Sequence, residues 1–314
     1  MDIKSHDPGC EENPIFFAYG KARDFRVVED EKVLAECRVI FNPRLQSEEP
    51  TGMVGFYKSE NNPEANKLLF EACAEWFRER GLKKIAGPIN YSTWYSNRFM
   101  TKGFEDEKFP GEPDNPEYYP QLWQECGFSI KEKYFTQRHL HGEEFESRAD
   151  RLLRSIKLYE RKGYYFKNIL ELDVDKALTK LHPIMEDIFE ENRYYAPIEL
   201  DEFKSIFLPI CHPKSPAEVI VAFNKNDEIV GALINLAFPQ FPQTHIVKSI
   251  GVARAERGAA TAHALIAKAV LLGREKGCAY TDSALMHEEN MSFRIASKIH
   301  GEIIKEYAIF EKNL

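Results

Sequence analysis

The segment Arg254 to Ala262, RAERGAATA, combines residue types that suit the capture of a phosphate-bearing ligand. A pyrophosphate needs converging backbone N–H donors, the positive end of a helix and a nearby cation. Here no proline removes a donor, a helix starts within the segment, and Lys248, Arg254 and Arg257 bring positive charge to a chain whose net charge is -8. A plainer reading competes with this one: a helix start packed between a sheet and a partner domain. The helix that follows is apolar nearly all round, as a buried helix is.

That turn has a counterpart earlier in the chain. Residues Val54 to Gly81 and Ile250 to Gly277 align without a gap at a shift of 196 positions, the separation of Gly55 from Gly251. Identities fall at Gly55/Gly251, Glu60/Glu256, Leu69/Leu265, Arg78/Arg274, Glu79/Glu275 and Gly81/Gly277. In each copy an apolar segment (Met53 to Tyr57; Ile246 to Val252) enters a turn, a long helix follows, and a glycine closes it before another apolar segment (Lys84 to Ile89; Ala279 to Leu285). The first copy is unsuited to phosphate. Asn61 stands in place of the arginine, Pro63 removes a donor, and Glu60 and Glu64 would face the ligand. Like charges about 4 Å apart repel by roughly 4 kcal/mol at an effective dielectric of 20, ample to abolish micromolar binding.

The other elements follow from periodicity and punctuation. After a polar start expected to be flexible, Phe25 to Val28 and Lys32 to Asn42 read as a hairpin around Glu29-Asp30-Glu31. Asn62 and Pro63 supply a helix cap and first turn, and Ala65, Leu68, Leu69, Ala72, Cys73, Trp76 and Phe77 form one buried stripe. Gly87 to Glu117, rich in Pro, Gly, Asn and aromatics, reads as a long ordered loop and a candidate functional surface. A short helix (Tyr118 to Glu125) and a strand (Lys131 to His141) complete the first half, and the polar stretch from Gly142 marks a boundary, giving domains 1–145 and 146–314. The second half reads as helix, strand, helix, helix, a hairpin of Ala217 to Asn224 with Ile229 to Ala237, the second repeat, and a final helix and strand. Hairpin-paired strands followed by helical crossovers imply an α/β (α+β) chain with a mixed sheet flanked by helices.

Composition excludes several classes. No apolar run is long enough to span a membrane and the N-terminus is not a signal sequence, so a cytoplasmic, membrane-free protein is expected. The acidic balance argues against nucleic acid, whose binding is supported by phosphate neutralisation. Six scattered cysteines read as buried or idle thiols. His139 and His141 project to one face of a strand, but no further ligand with matching spacing accompanies them, and no metal is expected. Asp187, Glu190 and Glu191, with Arg193 as their basic neighbour, read as a solvated helix face.

The order of elements around IGVARAERGAATA (Ile250 to Ala262) resembles the GNAT superfamily of N-acyltransferases, whose signature is a strand ending in Val, then R/Q-x-x-G-x-G/A at a helix start. Arg257, Ala260 and Ala262 occupy the three signature positions, and Asn290 stands 11 residues before Gly301, as the superfamily's CoA-side asparagine stands before the glycine closing its next helix. The departure is Ala260, where the family has glycine; its methyl crowds the backbone that approaches phosphate. The resemblance covers most of Tyr164 to Lys312. The first half looks like a degenerate copy, and GPINYSTWYSNRF (Gly87 to Phe99) with EPDNPEYYPQLWQECGF (Glu112 to Phe128) is similar to a subfamily of tandem acyltransferase-like proteins.

What the resemblance implies is a tandem of two acyl-CoA N-acyltransferase-like domains moving an acyl group, acetyl or longer, from CoA to a small-molecule amine. Ile250, Val252, Arg257, Gly258, Ala259, Ala260, Thr261, Ala262 and Asn290 would bind acetyl-CoA or another acyl-CoA. The first half would help to enclose the acceptor through Asn90, Ser92, Thr93, Trp94, Tyr95 and Arg98; equally, this loop could seal the domain junction, with Arg98 paired to Glu112 or Asp114. His245 and Asp282, on or beside the two strands that would flank a thioester, are the candidate bases. Ser297 holds the position where the superfamily often places an acidic tyrosine. Two other readings stay open: a non-catalytic binding protein retaining the fold, and an aminoacyl-tRNA-dependent transferase, disfavoured by the acidic charge.

Overall fold

The computed structural model describes residues 1–257, 260–297 and 301–314. Its contacts divide the chain into two compact units: Met1–Tyr134 with Asn192–Pro197 and Lys305–Leu314, and Phe135–Glu191 with Ile198–Ile304. The sequence places a single division after residue 145; here the first division falls after Tyr134, and two later segments, six and ten residues long, return to the first unit.

In unit 1 the sheet runs β1 (Asp2–His6), β2 (Lys21–Glu29), β3 (Lys32–Phe41), β4 (Thr51–Ser59), β5 (Lys84–Gly87) and then the C-terminal part of β13 (Glu302–Asn313). The polar start, expected to be flexible, is strand β1, antiparallel to β2 with Asp2 opposite Val28. Its residues are exposed, so hydrophobic patterning carried no sign of it. The β2–β3 hairpin turns on Asp30 and Glu31, both at positive φ as a two-residue turn requires. Helix α1 (Pro14–Phe17) sits between the first two strands in sequence. Helix α2 (Pro63–Arg78) starts where the sequence places it, the Asn62 side chain accepting from the Ala65 N–H at 3.0 Å. Its apolar stripe, Ala65, Leu69, Phe70, Cys73 and Phe77, packs with Val27, Val39, Val54, Ile85, Trp123 and Phe310 in one core. The presumed loop 87–117 carries a short strand, β6 (Phe99–Lys102), paired with β13. Helix α3 (Tyr118–Glu125) places Trp123 against Phe99 and Phe128.

In unit 2 the strand order is β7, β12, β11, β10, β9, β8. These are β7 (Ser129–Leu140, from Phe135), β8 (Tyr165–Asn168), β9 (Ala217–Phe223), β10 (Ile229–Leu236), β11 (Thr244–Val252) and β12 (Tyr280–His287). The helices are α4 (Glu143–Arg161), α5 (Val174–Phe189), α6 (Leu200–Phe207), α7 (Thr261–Glu275) and α8 (Met291–Ser297). Neighbours β8 to β11 are antiparallel, and β11 and β12, joined through α7, are parallel. The sheet is mixed, as the order of hairpins and crossovers requires. Leu265, Ala269 and Leu272 of α7 pack on Ile220, Leu233, Val247 and Val252, which explains why this helix is apolar on so much of its surface.

Candidate functional site

The carboxyl half of β11 in unit 2 is where the fold opens. The parallel ladder between β11 and β12 runs from Thr244↔Tyr280 to Val247↔Ser283 and stops. Beyond it β11 continues to Val252, still paired with β10, whose register shifts between Ile234 and Asn235 so that Lys248 is the extra residue of a bulge. A bulge turns the strand's facing pattern by one residue. After it Ile250 and Val252 contact the core beneath α7. Two parallel strands that both run on past the end of their shared ladder, β11 to Val252 and β12 to His287, offer backbone N–H and C=O groups along a wedge, the arrangement an extended amide-bearing ligand can use as a further strand does.

The wedge leads to the turn singled out in the sequence. A 3-10 turn, Arg254–Glu256, follows β11, and Ala260 caps α7 at φ 66° without a side-chain hydrogen bond. Gly258 and Ala259 lie outside the described residues. Left-handed backbone is where glycine is preferred, so the alanine holds a conformation that disfavours its own methyl. Thr261 is buried, its hydroxyl accepting from Tyr159 Oη at 3.3 Å, and burial pushes the Tyr159 phenol up to about 12. Asn290 is exposed just ahead of α8, its backbone N–H donating to His287 O at 3.1 Å. Ala262 is half-buried against the core beneath α7.

The cations here are engaged. Arg254 lies 3.0 Å from Asp187 and 3.4 Å from both Glu190 and Glu191, and Arg257 lies 3.2 Å from Glu191. The acidic end of α5 is therefore an ion-pair partner of the turn and not only a solvated face. Arg193, its expected partner, bonds Glu132 at 2.6 Å in unit 1. Spacing along one helix could not reveal this, because the arginines that answer the carboxylates lie more than 60 positions away.

The acid–base candidates are held in different ways. His245 is fully buried at the paired base of the wedge, opposite Thr281, with neither ring nitrogen hydrogen-bonded. Burial, followed by the charges of Lys276 and His141, pulls its pKa down to about 4. Asp282 lies one residue from the end of the ladder, and Arg138 clamps it with two bonds of 2.9 and 2.7 Å. Ser297 donates its one proton to Phe293 O at 2.8 Å and accepts from Gln137 Nε2 at 3.0 Å. Sequence reasoning missed Gln137 and Arg138. The available signal was the run Thr136-Gln137-Arg138-His139 within a strand, of which Thr136, Gln137 and His139 are buried. Consecutive buried polar residues in a strand are costly unless hydrogen bonds or a function hold them.

Unit 1 fills its own equivalent of the wedge. The β4–β5 ladder ends at Met53↔Ala86, but Ile89 N then donates to Val54 O at 2.9 Å and Phe56 N donates to Asn90 Oδ1 at 2.7 Å. A Cβ on Gly55 would stand 2.4 Å from Ile89 O, so the two segments are in close contact. The loop residues proposed to meet an acceptor are tied within this unit. Ser92 is fully buried and accepts from Trp94 N at 3.3 Å, Thr93 O accepts from Asn97 at 3.1 Å, and the Trp94 indole donates to Ala196 O at 2.9 Å. Tyr95 packs edge-on against Tyr91. Arg98 stacks over Tyr134 at 3.8 Å, while Glu112 takes Lys305 and Asp114 takes Lys108, so neither proposed carboxylate is its partner.

This arrangement of strands and crossovers is similar in fold to tandem GNAT proteins of known structure. A tandem GNAT protein from the clavulanic acid biosynthesis pathway is similar over 99% of this chain and 98% of its own, with a TM-score of 0.57 at 9% identity. A GCN5-related N-acetyltransferase from Sphaerobacter thermophilus is similar over 93% of this chain and 80% of its own, with a TM-score of 0.51 at 12% identity. A conserved protein from Enterococcus faecalis V583 reaches 0.54 over 99% and 72%, at 9% identity. In sequence, no family model and no curated protein matches the chain. Among the described residues no helix is long and apolar enough to cross a membrane.

Proposed function

We propose that this protein is a CoA-dependent N-acyltransferase, most simply an N-acetyltransferase, with its cofactor on unit 2 and a small-molecule amine as acceptor. The observation that carries the proposal is the wedge: a β11–β12 ladder that stops at Val247↔Ser283 and leads by a short turn into α7. The tandem GNAT fold supports it. Acyl-CoA would supply the activated acyl group as a thioester. The backbone of Ile250 and Val252 would align the amide-bearing arm and donate to the acyl carbonyl as negative charge builds there. Arg257, the turn and the start of α7 would receive the phosphates, with Asn290 on the far side. Unit 1, whose own wedge is filled and whose helix start is capped by Asn62, is assigned no CoA.

His245 is too deeply enclosed to take a proton from an incoming amine, and Ser297 has committed its proton to a carbonyl. Asp282, at the vertex, is the remaining candidate to receive or hold the amine. These same observations favour the second reading, a binding protein that retains the fold and holds CoA without turnover. Thermal unfolding with acetyl-CoA, free CoA and no ligand, on wild type and Arg257→Glu, tests the cofactor. At about 100 times Kd, binding adds roughly 2.7 kcal/mol, which moves the midpoint by a few degrees. A shift that Arg257→Glu abolishes is expected. The absence of a shift with any CoA species would sink both readings, and a shift without turnover across an amine panel would leave the second.

A further inference from the structure

Two of the six cysteines, 36 positions apart, meet inside unit 1: Cys37 Sγ on β3 and Cys73 Sγ on α2 are 3.4 Å apart. Both are buried among Val39, Leu69, Phe70 and Phe77, whereas Cys10 is exposed and Cys126 is half-buried. Hydrophobic patterning alone would have any small apolar residue at either position, and two thiols in contact have a chemistry that two alanines lack. A disulfide needs its sulfurs about 1.4 Å closer than this.

We propose that Cys37 and Cys73 form a redox-sensitive staple, free thiols under reducing conditions and a disulfide fastening α2 to β3 when a peroxide is present. The chemistry balances with hydrogen peroxide as the oxidant. One sulfur, as thiolate, attacks a peroxide oxygen, forming an S–O bond and breaking the O–O bond, and the departing hydroxide takes up a proton to leave as water. The second sulfur, losing its proton, displaces the oxygen from the first, forming the S–S bond and releasing a second water. Two thiols lose two electrons and the peroxide gains them. Burial and the neighbouring thiol hold the Cys37 proton tightly, with Asp24 and Glu36 adding negative potential, so the reaction is slow at neutral pH and faster in alkali. Closing a loop of this length limits the unfolded chain, so the oxidised protein unfolds at a higher temperature.

The test uses the full chain. Reduced protein is treated with hydrogen peroxide at pH 8.5, denatured, alkylated with iodoacetamide and digested with trypsin. The expected product joins peptide Val33–Arg38 to peptide Leu68–Arg78, each with one cysteine, at a mass two hydrogens below their sum; dithiothreitol separates them. The oxidised protein is expected to melt several degrees higher, and Cys73→Ala to lose both effects. Recovery of both peptides singly alkylated, or joined only to peptides holding Cys10 or Cys126, would overturn the proposal. So would a cross-link that lowers the melting temperature, since the bond would then strain the unit. The wild-type peptide map decides even if the variant does not fold.

Discussion

On the proposed CoA reading, the departures from a simple phosphate-binding turn come down to single residues. Ala260 sits at φ 66°, a conformation that costs a non-glycine residue about 1 kcal/mol. Ala260→Gly is therefore expected to raise stability by about 0.5 kcal/mol, the gain in strain being partly offset by unfolded-state entropy, and to tighten CoA binding by removing a methyl from the approach. Paired urea titrations and CoA titrations check both. Glu191 reaches Arg254 and Arg257 together, so it competes with any phosphate for the same cations. All three side chains are more than 40% exposed, and pairs of that kind are worth at most about 1 kcal/mol. Glu191→Gln should accordingly tighten CoA binding two- to fivefold at low salt, with the gain shrinking at high salt. Weaker binding in that variant would show that Glu191 orients Arg257 and does not compete with the ligand.

At the scale of elements, β7 and β11 each place a buried histidine in unit 2. Burial holds His139 and His245 at about 4, against an ordinary value near 6.5, His141 adding to both and Lys276 to His245. The unfolded chain binds protons at these positions before the folded chain does. Stability is therefore full above about pH 6.5 and is lost as pH falls towards 4, by up to about 3 kcal/mol per histidine. Urea midpoints measured from pH 7 to pH 4.5 should fall steeply in the wild type and less so in His139→Gln. A flat profile would mean that both rings are solvated in the folded protein. The same elements show why the acid and base are hard to read locally: β12 supplies Asp282, but its clamp, Arg138, stands 144 positions earlier on β7.

At the scale of the whole molecule, the last strand belongs in part to the first unit. Phe310 pairs with Gly87 and Asn313 with Lys84 on β5, and Tyr307, Ala308, Ile309 and Phe310 are buried. Lys305, itself buried, donates to Glu107 O and to both carboxylate oxygens of Glu112, and Tyr307 donates to Glu112 as well. Breaking such a pair from one side leaves a buried charge and costs about 3 to 5 kcal/mol. Removal of Lys305–Leu314 is thus expected to unfold unit 1, the part nearest the other end of the chain, and Lys305→Met to destabilise it by about that amount. Hydrogen exchange resolved by peptide gives the answer. Loss of protection confined to the second half, with Ala65 to Phe77 still protected, would refute the assignment.

The amino-acid sequence by itself determined most elements and their order. Periodicity placed α2, the Asn62 cap started it at the right residue, hairpin chemistry set β2 against β3, and the internal repeat announced the tandem fold. These are local properties, settled by a residue and its neighbours within a turn or a strand. Strand β1 escaped because exposed residues carry no hydrophobic pattern. Only tertiary structure decided that Arg254 and Arg257 answer Asp187, Glu190 and Glu191, that Arg138 clamps Asp282, that Cys37 meets Cys73, and that Lys305 to Leu314 completes unit 1. Each of those joins residues dozens to hundreds of positions apart, and charge, hydrogen bonding and strand pairing depend on distance in space, which spacing along the chain does not record.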